Sequence, residues 1–380
     1  MSRRRIDIAK PKFGDEELQA LRGPLESGWL TQGPEVSAFE QDFAKRHDVG
    51  HALATTSCTT ALHLALAALD VGPGDEVIVP AFTWVATANV ILYCGATPVF
   101  VDVDRHTFNL DVSQIAQKIT KRTKAVIPVH LFGLCADMDG LRAVLPDTVA
   151  VVEDAACAAG ASYKGTPAGG FGDFAAFSFH PRKSITTGEG GMLTTTDDDL
   201  AAKAEVLRNH GASISEEQRH HGPQPYILPD FNLLGFNYRM SDLQGAVGRV
   251  QLGRLDGFIA ERERWSGFYD EAFADVPWIR PPARPKAGQH AWQAYVTYVD
   301  PAQAPKPRNE IMKILHENGI ATRPGTHAVH TLRYYRDKYG FSPDDFPAAR
   351  DCEQNSMALP LHNHMTQEDY EFVVSAIRSF

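Results

Sequence analysis

From about residue 50 onward, short apolar runs alternate with stretches whose apolar positions recur at helical spacing. The runs Glu76–Val79, Pro98–Val103, Ala125–His130, Val149–Glu153, Asp173–Ser178 and Gly191–Thr195 read as strands. Several are continuous rather than alternating, the pattern of strands covered on both faces of a parallel sheet. Between them, Ala61-Leu62-x-Leu64-Ala65-Leu66 and the stretch Leu110–Ile119 read as helices, so this part predicts a layered α/β domain. Ser213–Pro225 is polar and without period, and predicts a mobile loop. Leu243, Ala246, Val247, Val250, Leu252, Leu255 and Ile259 lie at helical spacing within Ser241–Arg264, as one long helix or two in succession. Seven prolines fall between Val276 and Pro307. A strand at Trp292–Val299 and helices near Asn309–Asn318 and Gln367–Ser379 suit a smaller α+β domain. The expected division is an N-terminal arm (1–30), a large domain (31–255) and a small C-terminal domain (256–380).

A chain of 380 residues with 43% hydrophobic and 22% charged residues has ordinary globular usage and can bury a large core without staples. Lys plus Arg is 37 against 47 for Asp plus Glu, a net charge of −10, which argues against a nucleic-acid partner held by whole-chain charge. No apolar run is long enough to span a membrane. The basic start Met1-Ser2-Arg3-Arg4-Arg5 leads into the mixed Ile6–Lys12, not a signal-peptide core. The cysteines, Cys58, Cys94, Cys135, Cys157 and Cys352, are odd in number and form no C-x-x-C, so a reduced cytoplasmic compartment is expected. His362-Asn363-His364 lacks metal-ligand spacing and partners, and no metal is expected.

The most informative segment is Asp173–Gly191, DFAAFSFHPRKSITTGEGG. A buried strand ends at Ser178, and Lys183 lies just beyond it, where ligand sites of α/β sheets form. Asp154 likewise ends the strand Val149–Glu153. Thr55-Thr56-Ser57-Cys58-Thr59-Thr60 precedes a helix, and a hydroxyl-rich turn at a helix start binds anions. Taken singly, each has a plainer explanation: a surface lysine, an Asp helix cap and ordinary N-capping. Together, an anion site, an acid and a lysine point to pyridoxal phosphate, which needs a Schiff-base lysine and an acidic partner for its ring nitrogen. Gly170-Phe171-Gly172-Asp173-Phe174-Ala175 fits G-x-G-x-x-A but precedes a strand, so it is not the dinucleotide motif.

The chain resembles the sugar aminotransferases of the DegT/StrS type, with the type I fold of pyridoxal-phosphate enzymes. The resemblance is carried by GWLTQGP (Gly28–Pro34), TTALHLAL (Thr59–Leu66), GDEVIVPAFTWVATAN (Gly74–Asn89), EDAACAAGA (Glu153–Ala161), SFHPRKSITTGEGG (Ser178–Gly191) and GFNYRMSDLQGAVG (Gly235–Gly248). It implies a mostly parallel central sheet in a three-layer large domain that binds the cofactor, plus the smaller C-terminal domain. It also implies that Lys183 carries the cofactor covalently and shuttles protons, that Asp154 pairs with the ring nitrogen and that Trp84 stacks on the ring. Cys58 and Thr59 would offer N–H groups to the phosphate, with the Ser178 hydroxyl. Asn237 would reach the phosphate of a neighbouring subunit, which makes the protein a homodimer with shared active sites. Arg239 is a candidate for the carboxylate of the amino donor. Cys157 stands where the family often has a glutamine facing the cofactor's phenolic oxygen, and Cys58 where glycine is common. The segment Thr322–His330 departs from the usual Pro-x-His-Leu pattern, and His327 is there either a substrate contact or a structural histidine.

The implied reaction moves the amino group of glutamate to a nucleotide-linked 4-keto-6-deoxy sugar, as a perosamine synthase does. A keto-cyclitol acceptor fits the sequence equally. Related sugar dehydratases carry histidine where Lys183 stands, which argues against that reaction. A non-catalytic regulator is disfavoured by the complete set of site residues and the lack of a DNA-binding segment.

Overall fold

The computed structural model describes residues 4–214 and 226–380. Its centre is a seven-stranded sheet. In spatial order the strands are His51–Thr55, Gly191–Thr195, Phe174–Ser178, Ala150–Asp154, Thr123–Val126, Glu76–Pro80 and Thr97–Val101. Gly191–Thr195 is antiparallel to both neighbours, and every other pairing is parallel. Side chains alternate between faces along each strand. Val77 and Val79 join one core with the helix Cys58–Ala68, while Ile78 joins another with Leu141. Phe174 and Ala176 face the first core, and Ala175 and Phe177 face a layer containing Phe39, Phe43, Leu255 and Ile259. Both faces are covered, and this is why the strand sequences are continuous apolar runs. The result is the α/β, three-layer architecture expected from the sequence.

Two expected elements differ. The strand expected over Ala125–His130 stops at Val126. Pro128 has no N–H to give to a ladder, and only its carbonyl is used, by Asp154 N at 2.8 Å. Leu110–Ile119 is not an α-helix but two single turns of 3-10 helix, Val112–Gln114 and Ala116–Lys118. The Asp111 carboxylate takes the Ser113 N–H (3.1 Å), the Ser113 hydroxyl (2.6 Å) and the Gln114 amide (2.8 Å). Such local bonds compete with helix propagation. The stretch beginning at Ser241 forms one helix, Asp242–Phe273, capped by the Ser241 side chain, and it runs through the expected domain division at 255. Of the expected loop Ser213–Pro225, residues 215–225 lie outside the described residues.

Beyond that helix, Ile279–Arg280, Tyr295–Val299 and Ser356–Leu359 form a three-stranded antiparallel sheet. The helices Arg308–Glu317 and Gln367–Arg378 pack on it around Tyr295, Ile311, Leu315, Tyr370 and Val373. Ile6 is buried in the same cluster, its N–H donating to Gly319 O at 2.8 Å and its carbonyl accepting from Ala321 N at 2.9 Å. The pair His327–Ala328 forms a short ladder with Phe82–Thr83, which follows the central-sheet strand Glu76–Pro80. Among the described residues, no helix is long and apolar enough to cross a membrane.

Candidate active site

Two parallel strands and the start of one helix meet at a common cavity of 410 Å³, whose wall includes Cys58, Thr59, Trp84, Asp154, Cys157, Ser178 and Lys183. Strand Ala150–Asp154 delivers Asp154 at its C-terminal end, 5% exposed. Strand Phe174–Ser178 delivers Ser178, and the turn that follows, closed by Lys183 N donating to His180 O at 2.8 Å, delivers Lys183. The helix Cys58–Ala68 points its first turn at the same space. Its cap, Ser57, accepts from Thr60 N at 3.2 Å, and the remaining N–H groups of a helix's first turn have no partner within the helix. Gly191 is paired with Thr55 beside this turn, where a Cβ would lie 2.4 Å from the Ser57 carbonyl carbon. The strand and the helix start meet closely only because a glycine stands there.

The Lys183 amine donates to Cys157 Sγ at 3.2 Å. Burial works against its charge, but Cys157, Cys58 and Asp154 around it outweigh that cost, so the amine titrates above the ordinary lysine value. Burial, with Asp154 beside it, pushes the Cys58 thiol well above its usual range, and its Sγ donates to Ala176 O at 3.5 Å. Asp154 Oδ1 accepts the Ala156 N–H at 3.1 Å, and Oδ2 accepts the Thr87 hydroxyl at 2.7 Å. The Thr83 and Thr87 hydroxyls are 3.0 Å apart. The Trp84 carbonyl, at 3.0 Å, competes for the single Thr87 proton, but the shorter contact to a charged oxygen favours Asp154; Thr83 is in either case the donor in its pair with Thr87. Each carboxylate oxygen has two lone pairs, so capacity remains for one more donor from the cavity.

Trp84 stands at the start of the helix Val85–Tyr93 and is 60% exposed. His327 stands next to it, ring centroids 5.7 Å apart, with Nδ1 3.8 Å from Glu353 Oε1. Both line a second cavity of 350 Å³, which shares Trp84, Phe132, Arg182, Gln293, Gly325 and Thr326 with the first. Asn237 and Arg239 do not reach either cavity of their own chain. Asn237 is exposed and forms a backbone bridge with Asn209, whose side-chain oxygen accepts from Arg239 at 2.5 Å. Just before them, Tyr226, Leu228, Phe231 and Leu234 are exposed apolar side chains.

Residues 11–378 match the DegT/DnrJ/EryC1/StrS aminotransferase family. The chain belongs to that family. It is 42% identical over 375 residues to the spore coat polysaccharide biosynthesis protein SpsC of Bacillus subtilis, across 98% of this chain and 96% of that one. It is 40% identical over 376 residues to the GDP-perosamine synthase of Caulobacter vibrioides, across 98% and 97%. Its fold superposes with a TM-score of 0.90 on the PLP form of Spr1654 from Streptococcus pneumoniae, at 31% identity, covering 99% of this chain and 98% of that one.

This aminotransferase is a pyridoxal-phosphate enzyme acting on sugars, and the cavity's chemistry suits the cofactor. It offers an amine, a carboxylate with an unused lone pair, an aromatic face, and a helix start with a neighbouring hydroxyl. Sequence reasoning did not single out Thr87, although the spacing of Thr83 and Thr87 at a helix start places two hydroxyls one turn apart. It also passed over His130. The imidazole accepts from Ala136 N at Nδ1 (3.1 Å), so its Nε2 carries the proton that goes to Glu153 Oε2 at 2.8 Å. Both residues are fully buried, and Glu153 also accepts the N–H groups of Gly169, Phe171 and Gly172, each at 2.8 Å. The G-x-G-x-x-A stretch therefore wraps a carboxylate of its own chain.

Proposed function

We propose that the enzyme transfers the amino group of glutamate to a nucleotide-linked 4-keto-6-deoxy sugar, as a cytoplasmic homodimer with shared active sites. The observation that carries the reaction type is the convergence of Lys183, Asp154 and the start of the helix Cys58–Ala68 on one cavity. The substrate class rests on the relatives, one a GDP-perosamine synthase and one a polysaccharide biosynthesis protein.

Pyridoxal phosphate supplies an electron sink that stabilises a carbanion next to the transferred nitrogen. Lys183 would hold the cofactor and, once freed from it, would take the proton from the donor carbon and hold it for return later in the same half-reaction. In the second half the same amine would deliver a proton to the sugar carbon that receives nitrogen. Asp154, oriented by Thr87 and the Ala156 N–H, accepts the ring-nitrogen proton and keeps it in place. Cys58, Thr59 and Ser178 hold the phosphate, with helix dipole and N–H groups favouring its charge. Trp84 covers one ring face. Cys157 lies within reach of Lys183 and lines the cofactor space where glutamine is common. Asn237 would reach the partner's cofactor phosphate, and the half-buried Arg239, two residues on, would serve as a carboxylate ligand. The apolar side chains from Tyr226 to Leu234 are the surface a second copy would cover.

The test is a single-turnover reaction. Holoenzyme is converted with glutamate, freed of excess donor, and mixed with a panel of nucleotide-linked 4-keto-6-deoxy sugars and keto-inositols. The reading requires release of 2-oxoglutarate in the first step and return of the starting absorbance with a nucleotide sugar. Return with a keto-inositol alone replaces the acceptor. Conversion by another amine but not by glutamate replaces the donor.

A further inference from the structure

We infer that the second cavity is the subsite for the diphosphate of the sugar acceptor, with Arg182 and Arg323 as its cationic ligands. This deepens the reading above and rests on it. The cavity adjoins the cofactor space through a common wall, and Arg182 belongs to both. A ligand filling it therefore extends one end towards Lys183. Among the described residues the guanidinium groups of Arg182 and Arg323 have no hydrogen-bond or ion-pair partner. This is unlike Arg254, Arg284 or Arg378, each held by a carboxylate. Arg182 is held in place at its backbone, its carbonyl accepting the Gln293 side chain at 2.8 Å. Arg323 is fixed by backbone bonds to Ala358 in both directions, 3.3 and 2.7 Å. A third guanidinium, Arg308, is 7% exposed on the same wall and is bonded only to the carbonyls of Ser356 and Glu353. The single carboxylate on that wall is Glu353, whose Oε1 accepts from Ala328 N at 3.1 Å.

Three arginines against one acid leave the cavity with a surplus of positive charge, two of them with free planar donors. Guanidinium groups suit phosphate oxygens because they offer paired N–H donors at fixed spacing. Apart from Gln293, Thr326 and His327, most of the remaining wall, including Ile8, Phe132, Val296, Leu359 and Leu361, is apolar, and suits the faces of a deoxy sugar rather than a second carboxylate. A diphosphate lies one hexose ring from a keto carbon at C4. The subsite then holds the carrier while the ketone reaches the cofactor space.

The test is calorimetric binding of GDP and of UDP to the glutamate-converted holoenzyme, for wild type, Arg323→Ala, Arg182→Ala and Arg323→Lys. Both arginines are exposed, so loss of fold is not expected, and the cofactor spectrum checks it. Each alanine variant is expected to weaken nucleotide binding by about ten- to a hundred-fold, the range for a lost charge-assisted bond. Arg323→Lys should fall between, and wild-type affinity should decline with salt. Unchanged nucleotide affinity in both alanine variants overturns the subsite while leaving the sugar-nucleotide reading intact. The same variants are also converted over a range of glutamate concentrations, and a larger loss for glutamate than for nucleotide assigns the cavity to the donor and also overturns it. A wild type that binds neither nucleotide, yet is discharged by a keto-inositol, overturns the subsite and the acceptor class together.

Discussion

The Thr87 hydroxyl donates to Asp154 Oδ2 at 2.7 Å, and both side chains are buried. Replacing it with valine keeps shape but removes the donor from a buried carboxylate, a loss of about 1–3 kcal/mol by the usual cost of an unmade bond. Thr87→Val should weaken cofactor affinity by roughly ten-fold or more and alter the absorbance of the bound cofactor. Thr87→Ser should restore both. Unaltered spectra and affinity in the valine variant would remove Thr87 from any role in positioning Asp154.

Borohydride reduction of the yellow holoenzyme should attach the cofactor to the peptide carrying Lys183. Lys183→Ala should lose turnover by at least about a hundred-fold, the lower range for a lost acid–base group. Peptide mapping settles the first point, and label on another lysine would reject the assignment.

Cys157 contributes to holding the Lys183 amine above its ordinary range. Cys157→Ala should therefore lower the pKa of that amine in the cofactor-free protein. Attachment of the cofactor needs the neutral amine, so its rate rises as pH passes through this pKa. The rate profile of Cys157→Ala should move to lower pH than that of wild type. A profile that stays in place, or moves to higher pH, contradicts the pairing.

Asn237 lies outside its own chain's cavity, on an exposed stretch. If it serves the partner's phosphate, Asn237→Ala should weaken cofactor binding by roughly ten- to a hundred-fold, taking about 1.5–3 kcal/mol for a bond to a charged group. Mixing Lys183→Ala with a strongly impaired Asn237 variant under subunit exchange should recover activity, because heterodimers then contain one intact site. An active monomer, or no recovery on mixing, would rule out sharing.

Stability should fall with acid. Burial depresses His47 and His290 to about 3, and His362 to about 4, against about 6.5 when unfolded. Below that unfolded value the open chain takes up protons that the folded one refuses. This stabilising contribution is complete above about pH 6.5 and is lost as pH falls, towards about 4 for His362 and about 3 for His47 and His290, by up to about 1.4 kcal/mol per pH unit for each histidine. His47 stacks on Phe43 at 4.0 Å, and His47→Phe should flatten the decline by one such increment. Urea unfolding at pH 7.5, 6 and 5 measures it, and equal slopes in the two proteins would contradict the assignment.

The parallel sheet was legible because its strands are covered on both faces, which leaves little but apolar residues in Glu76–Pro80 or Phe174–Ser178. His51–Thr55, with its N-terminal half only partly buried, carries no such run and went unread. Leu110–Ile119 misled because Asp111 satisfies local backbone groups that a helix would need, an effect that periodicity does not register. In the site, Lys183 and Asp154 stood out because each lies at or just beyond the end of a recognisable strand, while Ser178 came in with the family resemblance. Thr87 did not, since a threonine inside a helix is unremarkable until its partner, far along the chain, is placed beside it. The pairing of His130 with Glu153 was hidden for the same reason.

Glu153 and Asp154 are successive carboxylates on one strand, so the pleat sends them to opposite faces. A slip of one residue would exchange them, putting Glu153 in the cofactor cavity and Asp154 in the interior. The cradle of three N–H groups and the His130 imidazole penalises that error, because only Glu153 at its present position fills it. The glycine-containing turn thus acts as a vernier for a ligand it never touches. At Gly172 a Cβ would lie 2.5 Å from the Val151 carbonyl oxygen, so any side chain there displaces the strand that carries Asp154. Damage on the far face of the sheet would be felt first as a misaimed carboxylate in the cofactor cavity.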